Sequence, residues 1–166
     1  HDPAGPKISL FNPRFEQHGW TSRHTAVLVL THGIPFVAES LRLELSRRGI
    51  VIHMLVSSDL CVERGAAHEL RHIYPATVPA DGERLAREAL VYLEISRISD
   101  AVLLAEIEQS LAGVIAEVTV VVEDFEPMCA RVRELLAALP GCSQGVPEPE
   151  WRENRALLEW LLEGNF

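Results

Sequence analysis

The sequence predicts a mixed α/β domain, and three observations favour this fold class. An apolar, β-branched run at residues 25–31 is followed by an amphipathic segment and then by a second apolar run at residues 50–58. This is the order strand, helix, strand. A third run, at residues 89–98, alternates apolar and polar side chains well enough to be another main strand. After it, apolar residues recur at three- and four-residue spacing, which is typical of helices.

The first strand and helix follow from local composition. The run TAVLVLT at residues 25–31 is continuously apolar, which predicts a strand buried on both faces. From Pro35 onward the apolar positions have helical spacing. Gly49 follows them and is expected to end the helix, as a glycine after a helix usually does.

Four further segments are assigned by turn and capping signals. Residues 1–23 form an N-terminal arm with one short apolar piece, KISLF, between two prolines, which predicts an edge strand. Residues 60–75 carry two short apolar-polar stretches around an Arg-Gly pair and are predicted to form a hairpin. Residues 77–88 are polar and contain proline and glycine, which indicates a connector. Ser99-Asp100 can cap the helix after the third main strand.

The stretch AEVTVVVEDF at residues 116–125 has the strongest strand propensity in the chain. The apolar positions nevertheless keep a three-four spacing from Val114 to Leu139, so we predict a helix. Pro127 predicts a break near Asp124, which would cap a new helix running to about Leu139 and ended by a Pro-Gly pair.

Composition excludes several classes of function. The chain has 166 residues and a net charge of −9, its arginines are scattered, and no apolar run approaches the about 20 residues of a membrane span. We therefore expect neither nucleic acid nor membrane as a partner. Lys7 is the only lysine, which excludes mechanisms that need a lysine in the core. The three cysteines form no Cys-x-x-Cys pair and there is no secretion signal, so reduced thiols and a cytoplasmic location are expected.

One motif suggests a metal site. Residues 68–72 read His-Glu-Leu-Arg-His, and this H-E-x-x-H pattern places two imidazoles on a zinc ion when it lies on a helix. Gly65 and Pro75 leave room for about two helical turns at most, and the segment fits a hairpin better. We therefore expect no metal, and a zinc hydrolase stays a hypothesis to be tested.

The remaining catalytic signals are weak. His53 lies inside an apolar run, where a single histidine is more often a hydrogen-bonded core or interface residue than a catalyst. The sequence has no nucleophile elbow, no glycine-rich dinucleotide turn and no phosphate loop with its lysine. We therefore predict no catalytic residues.

The break between the first strand and helix, His32-Gly33-Ile34-Pro35, is the candidate ligand site. A helix N-terminus carries free backbone N–H groups and a partial positive charge, so a small carboxylate could bind there, and Gly33 would let the backbone approach it closely. The alternative is a plain joint in which Gly33 makes the bend and Pro35 starts the helix.

The stretches HGIPFVAESLRLELSRRGIVIHMLV, YLEISRISD, VVVEDFEPM and ENRALLEWLLEGNF, in this order, resemble the amino-terminal region of the large NAD-specific glutamate dehydrogenases of bacteria. The resemblance covers most of residues 24–166. It implies an ACT-like, ferredoxin-like α+β sandwich of the βαββαβ type. Such a fold has a small, mainly antiparallel sheet with helices on one face, here followed by a C-terminal helical extension. The family commonly has acidic residues just before the Pro-Phe, where this chain has His32, Gly33 and Ile34.

The resemblance also implies a role. It suggests a non-catalytic module for regulation and oligomerisation of an enzyme that oxidatively deaminates L-glutamate with NAD, with the cofactor bound elsewhere in the parent. Its partners would be the other domains and subunits of a homo-oligomer and a small amino-acid or carboxylate effector. The alternative is a stand-alone ACT-type module that senses an amino acid or binds a partner.

The predicted organisation has four parts. They are an arm at residues 1–23, the ACT-like domain at 24–140, a linker at 141–150 and a last helix at 151–166 that leads toward the next domain of the parent chain.

Overall fold

A computed structural model describes residues 5–75, 77–78, 85–139, 145 and 147–165. Five strands and four helices lie in these ranges, and α1 is a single turn. In chain order they are β1 Lys7–Phe11, α1 Phe15–His18, β2 Thr25–His32, α2 Val37–Arg47, β3 Ile52–Arg64, β4 Leu70–Tyr74, β5 Leu85–Ile95, α3 Ala101–Ala138 and α4 Glu148–Leu162.

The strands form one sheet in the order β1-β2-β5-β3-β4, and every neighbouring pair is antiparallel. Because β5 lies between β2 and β3, the β2-α2-β3 segment is a split βαβ unit. The predicted mixed α/β class and the mainly antiparallel, ACT-like sheet are confirmed.

The N-terminal arm supplies one edge strand of the sheet. In a βαββαβ fold the strand at this edge is the last one in the domain. In a ferredoxin-like sandwich the strand after the second helix lies beside the first strand. Here β1 takes that position, pairing with β2 from Lys7 opposite Leu30 to Phe11 opposite Ala26, and no strand follows α3 in the part of the chain that is described. The edge strand predicted in the arm is thus an integral part of the sheet.

The hydrophobic core lies between one face of the sheet and the two helices α2 and α3. Alternate side chains of β2 and β5 meet helical side chains that are four residues apart, and these residues are almost completely buried. The largest of them are Val27, Val29, Leu41, Leu45, Val91, Leu93, Ile95, Ile107, Leu111 and Ile115. The prediction that the helices lie on one face of the sheet is confirmed.

The other face of the sheet is partly exposed: Ala26 is buried there but Leu28 is not, so the predicted two-sided burial of β2 is only partly right. Val27 and Val29 are fully buried, whereas Leu28 between them is 38% exposed. Antiparallel sheets commonly have one packed and one solvated face. We call the second surface the open face.

Helix α3 confirms the helical prediction for residues 116–125 and corrects the predicted break. It runs without interruption from Ala101 to Ala138 with Pro127 inside it. Proline removes the N–H that would bond the carbonyl of Glu123. Glu123 and Pro127 are both exposed, so water can reach that carbonyl. At the start of α3, Asp100 of the predicted Ser99-Asp100 cap accepts a 2.8 Å hydrogen bond at Oδ1 from the N–H of Val102.

The chain divides into two compact units, residues 1–119 and 120–166. The second contains the last part of α3, where Cys129 and Val132 are buried, and α4. Helix α4 begins at Glu148, three residues before the predicted start at residue 151. The predicted Pro-Gly stop at residues 140–141 lies outside the described residues. The domain boundaries stay predictions.

Glu44 on α2 is a buried carboxylate, only 6% exposed. Arg47 and Arg48 donate to it through their Nε atoms at 2.8 and 2.7 Å, and the Ser110 hydroxyl of α3 donates as well. These hydrogen bonds, that of Arg47 first, lower the pKa of Glu44 to about 2. The carboxylate therefore joins α2 to α3 beside the core.

We predict that Glu44 makes the fold sensitive to acid. Its pKa falls from 4.5 in a free carboxyl to about 2 in the fold. The ionised carboxylate therefore contributes its full stabilisation above about pH 4.5, and this is lost as the pH falls toward about 2. Glu44→Gln should melt at a lower temperature than the native chain at neutral pH and lose less stability across that acid range. Thermal melts followed by circular dichroism would measure both effects.

The matched control is Glu117→Gln, the same change at an exposed carboxyl of α3. It should keep the acid response of the native chain. Equal acid slopes for the native chain and for Glu44→Gln would contradict the prediction.

Candidate functional site

The predicted site, His32 to Pro35, lies where β2 leaves the sheet and α2 begins. His32 is the last residue of β2 and pairs with Glu88 of β5. The N–H of Gly33 donates to the carbonyl of Arg87 at 2.9 Å, and the N–H of Ile34 donates to the carbonyl of His32 at 2.7 Å. The loop is therefore fastened to β5 before the helix starts.

The close approach at Gly33 is to the protein itself. A Cβ atom added to Gly33 would lie 2.9 Å from the Cβ of Arg87, a distance that side chains do not tolerate without movement. The glycine therefore lets β5 pass the loop. The contact with Arg87 is enough to explain why this position is a glycine, and no ligand is needed to explain it.

A pocket of about 380 Å³ opens beside the loop, within the size range of small-molecule sites. It is lined by three of the four predicted residues and by three that the sequence did not suggest. Its lining is Gly33, Ile34, Pro35, Asp59, Arg87 and Glu88. His32, exposed at the end of β2, is not among them.

One of the pocket acids already has a partner. Glu88 is 8% exposed, and the Arg64 guanidinium of β3 donates to both of its oxygens, with Nη2 to Oε2 at 2.8 Å. This bidentate pair raises the pKa of Arg64. The charge of Glu88 is therefore compensated within the sheet.

Two exposed groups of opposite charge also line the pocket. Asp59 projects from β3, and Arg87 from β5 donates through Nη2 to the carbonyl of Val78 at 3.1 Å. Carboxylate and guanidinium are the groups that proteins use for an ammonium and a carboxylate, respectively. A free α-amino acid carries both of these charges.

The start of α2 adds a weaker electrostatic feature. Its N-cap residue, Phe36, has a left-handed backbone with φ of 68° and makes no side-chain capping bond. Such a conformation is uncommon for a bulky residue. The first N–H groups of a helix are left without intrahelical acceptors and favour negative charge nearby.

The three missed lining residues have different origins. Asp59 directly follows the apolar run predicted as a strand and is part of the longer β3. Arg87 and Glu88 fall in the segment predicted as a connector, whereas β5 already begins at Leu85. The usable signal was the Ser-Ser-Asp after the apolar run, since polar side chains at strand ends often line sites.

The H-E-x-x-H segment is a hairpin, as the alternative interpretation predicted. Arg64 pairs with Leu70 across it, and His68 sits in the turn with φ of 61°. His72 lies in β4, so the two imidazoles do not share a helical face. The described residues contain no group of three or more metal-binding side chains that could hold an ion.

His53 is hydrogen-bonded, as predicted, but it is exposed, so of the two predicted places, core or interface, the core is excluded. It lies at an irregularity of β3 between Ile52 and Met54, which takes its side chain out of the regular alternation. Its ring stacks on His24 with 4.1 Å between centroids, and its Nε2 is 3.1 Å from the Ser96 hydroxyl. The cluster joins the starts of β2 and β3.

With this geometry established, comparison with known proteins identifies the family. Residues 1–111 match the family described as glutamate dehydrogenase, ACT1 domain. The chain belongs to this family. The match spans β1 to the first part of α3 and so includes the strand that the N-terminal arm contributes.

Two curated relatives bear the name NAD-specific glutamate dehydrogenase. The protein from Pseudomonas aeruginosa is 45% identical over 165 residues, and the one from Halomonas elongata is 39% identical over 166 residues. Each alignment covers 99% of this chain but 10% of the relative. The chain thus spans about a tenth of the length of these enzymes. None of the helices described here is both long and apolar enough to cross a membrane.

We predict opposite effects for two identical substitutions. Gly33→Ala should lower the free energy of unfolding by about 1–3 kcal/mol, because the new methyl group overlaps Arg87. Gly113→Ala on α3 meets no atom within 4 Å and should raise it by up to about 1 kcal/mol, because alanine is the better helix former. Urea denaturation would measure both values. A shift of the same sign in the two variants would contradict this explanation of Gly33.

Proposed function

We propose that this chain is a non-catalytic regulatory and oligomerisation module of an NAD-specific glutamate dehydrogenase. The parent would deaminate L-glutamate oxidatively to 2-oxoglutarate with NAD in the cytoplasm. One observation carries the proposal. Almost the whole chain aligns with about a tenth of the length of two enzymes that bear this name. The same observation favours a module of a longer enzyme over a stand-alone sensor.

The turns of the described sheet do not fit NAD. A dinucleotide site needs a glycine-rich turn between a parallel strand and a helix, with free N–H groups for the pyrophosphate. The turn from β2 to α2 has one glycine, Gly33, and its N–H is bonded to Arg87. The link from β5 to α3, residues 96–100, has none. The single lysine, Lys7, lies on the edge strand β1. These features support a non-catalytic role.

We predict that the purified chain forms no NADH from L-glutamate and NAD. The reason is that its residues offer neither a dinucleotide turn nor a lysine near the pocket. Absorbance of NADH would be followed with the complete parent enzyme as the positive control. NADH formation that copurifies with the chain at constant specific activity would refute the proposal.

The pocket supports a small amino-acid or carboxylate effector. The family resemblance implies acids in the loop at the positions of His32 and Gly33, and such acids could hold an ammonium group. In this chain Asp59 provides a carboxylate to the same pocket from β3. Arg87 provides the opposite charge from β5, so an amino acid could be held at both ends.

We predict that an amino-acid effector stabilises the native chain and that Asp59→Asn weakens the effect. A ligand at one hundred times its dissociation constant adds about 2.7 kcal/mol to the free energy of unfolding. The measurement is a thermal-melt screen of the common amino acids and of dicarboxylates that lack an ammonium group. Asp59→Asn should weaken the response to amino acids, because a neutral amide attracts an ammonium less than a carboxylate does.

The matched control is Asp124→Asn, the same change at an exposed position of α3, which should respond like the native chain. If no compound shifts the melt, the effector role is wrong and the loop is only a joint. A shift that Asp59→Asn leaves unchanged would place the ligand elsewhere.

A further inference from the structure

Helix α3 carries one apolar stripe along almost its whole length. From residue 104 to residue 139 an apolar side chain recurs after alternate steps of three and four residues, which is the heptad spacing of coiled coils. The members of the stripe are Leu104, Ile107, Leu111, Val114, Val118, Val121, Phe125, Met128, Val132, Leu135 and Leu139. Such a repeat, kept over five heptads, is typical of a helix that winds around a second helix.

The two halves of this stripe have different surroundings. Ile107 and Leu111 are completely buried in the core, and Val118 packs against the same core. Beyond residue 120 the stripe is largely uncovered, with Val132 as its buried member. The exposed members are Val121, Phe125, Met128 and Leu135, with 66%, 43%, 47% and 43% of their surface exposed. We give the name α3 seam to Val121, Phe125, Met128, Val132 and Leu135.

The α3 seam is large enough to receive a partner helix. It spans about four helical turns, or about 20 Å, because an α-helix rises 1.5 Å per residue. All five of its residues are apolar. A continuous exposed apolar surface of this kind marks an interaction site.

Two opposite charges flank the α3 seam on one side and indicate what the partner is. Asp124 and Arg131 are seven residues apart, each directly before a seam residue, and both are exposed. The Arg131 guanidinium donates to Glu134 at 2.7 Å on the helix surface. In an antiparallel pair of identical helices these flanking positions face each other, so Asp124 of each copy meets Arg131 of the other. In a parallel pair Asp124 would instead lie beside Cys129 and form no ion pair.

We propose that the α3 seam packs antiparallel against the α3 seam of a second copy. This inference rests on the oligomerisation role proposed above and names the surface. A two-fold axis midway between Phe125 and Met128 places Phe125 of one copy opposite Met128 of the other, and Val121 opposite Val132. Each contact therefore occurs twice. The apolar side chains leave water in the contact, and the two flanking charge pairs set its register.

The first test is the mass of the chain in solution as a function of concentration, by sedimentation velocity. The native chain should form a dimer. Val121→Lys should raise the dimer dissociation constant by at least about tenfold, because a charge would lose water against an apolar side chain. The control Val120→Lys is the same change at the neighbouring residue, which is 55% exposed and lies outside the seam. It should leave the dissociation constant unchanged.

The second test reverses the flanking charges. Asp124→Arg and Arg131→Asp should each weaken the dimer by about threefold or more, because each change places two like charges opposite each other. The variant with both changes restores opposite charges and should dimerise more tightly than either single variant. A double variant that dimerises no more tightly than the single ones would overturn the antiparallel register.

Three further outcomes separate this inference from the role on which it rests. A monomer at every concentration overturns both the seam contact and self-assembly of this chain. A dimer that Val121→Lys leaves intact overturns the seam contact and leaves the oligomerisation role standing. A dimer that dissociates with Leu28→Lys, on the open face, but not with Val121→Lys replaces the seam contact with stacking of the open faces.

Discussion

The antiparallel pairing of β5 with strands on both of its sides is the constraint on which this structure depends. β5 pairs with β2 along one side and with β3 along the other, and its alternate residues Val91, Leu93 and Ile95 form the centre of the core. The same pairing sets the pocket. It brings Arg87 against Gly33 and places Asp59 of β3 opposite Ala89. The candidate site is therefore assembled by the register of the sheet, and the loop completes one of its walls.

The second consequence of this arrangement is which edge of the sheet remains available. β1 closes the side of β2 with five paired residues, in the place that a strand after α3 would occupy in a βαββαβ order. β4 covers only the end of β3 beyond Leu60. Helices α2 and α3 pack on one face, and among the described strands none pairs with the outer side of β3 before Cys61. The N-terminal arm thus determines which edge of the sheet is covered by the chain itself.

Local patterns predicted the elements whose partners are close in sequence. The β2-α2-β3 order, the hairpin near Gly65 and the helix through residues 116–125 all follow from periodicity and turn residues. The missed features depend on contacts distant in sequence. Leu85–Glu88 lacks a strand pattern and becomes a strand because it pairs with Leu60–Glu63, which is why Arg87 and Glu88 were missed as pocket residues. Helix α3 tolerates Pro127 because that face of the helix is exposed to solvent. His53 is exposed because it lies at an irregularity of β3. Local propensity encodes neither of these features.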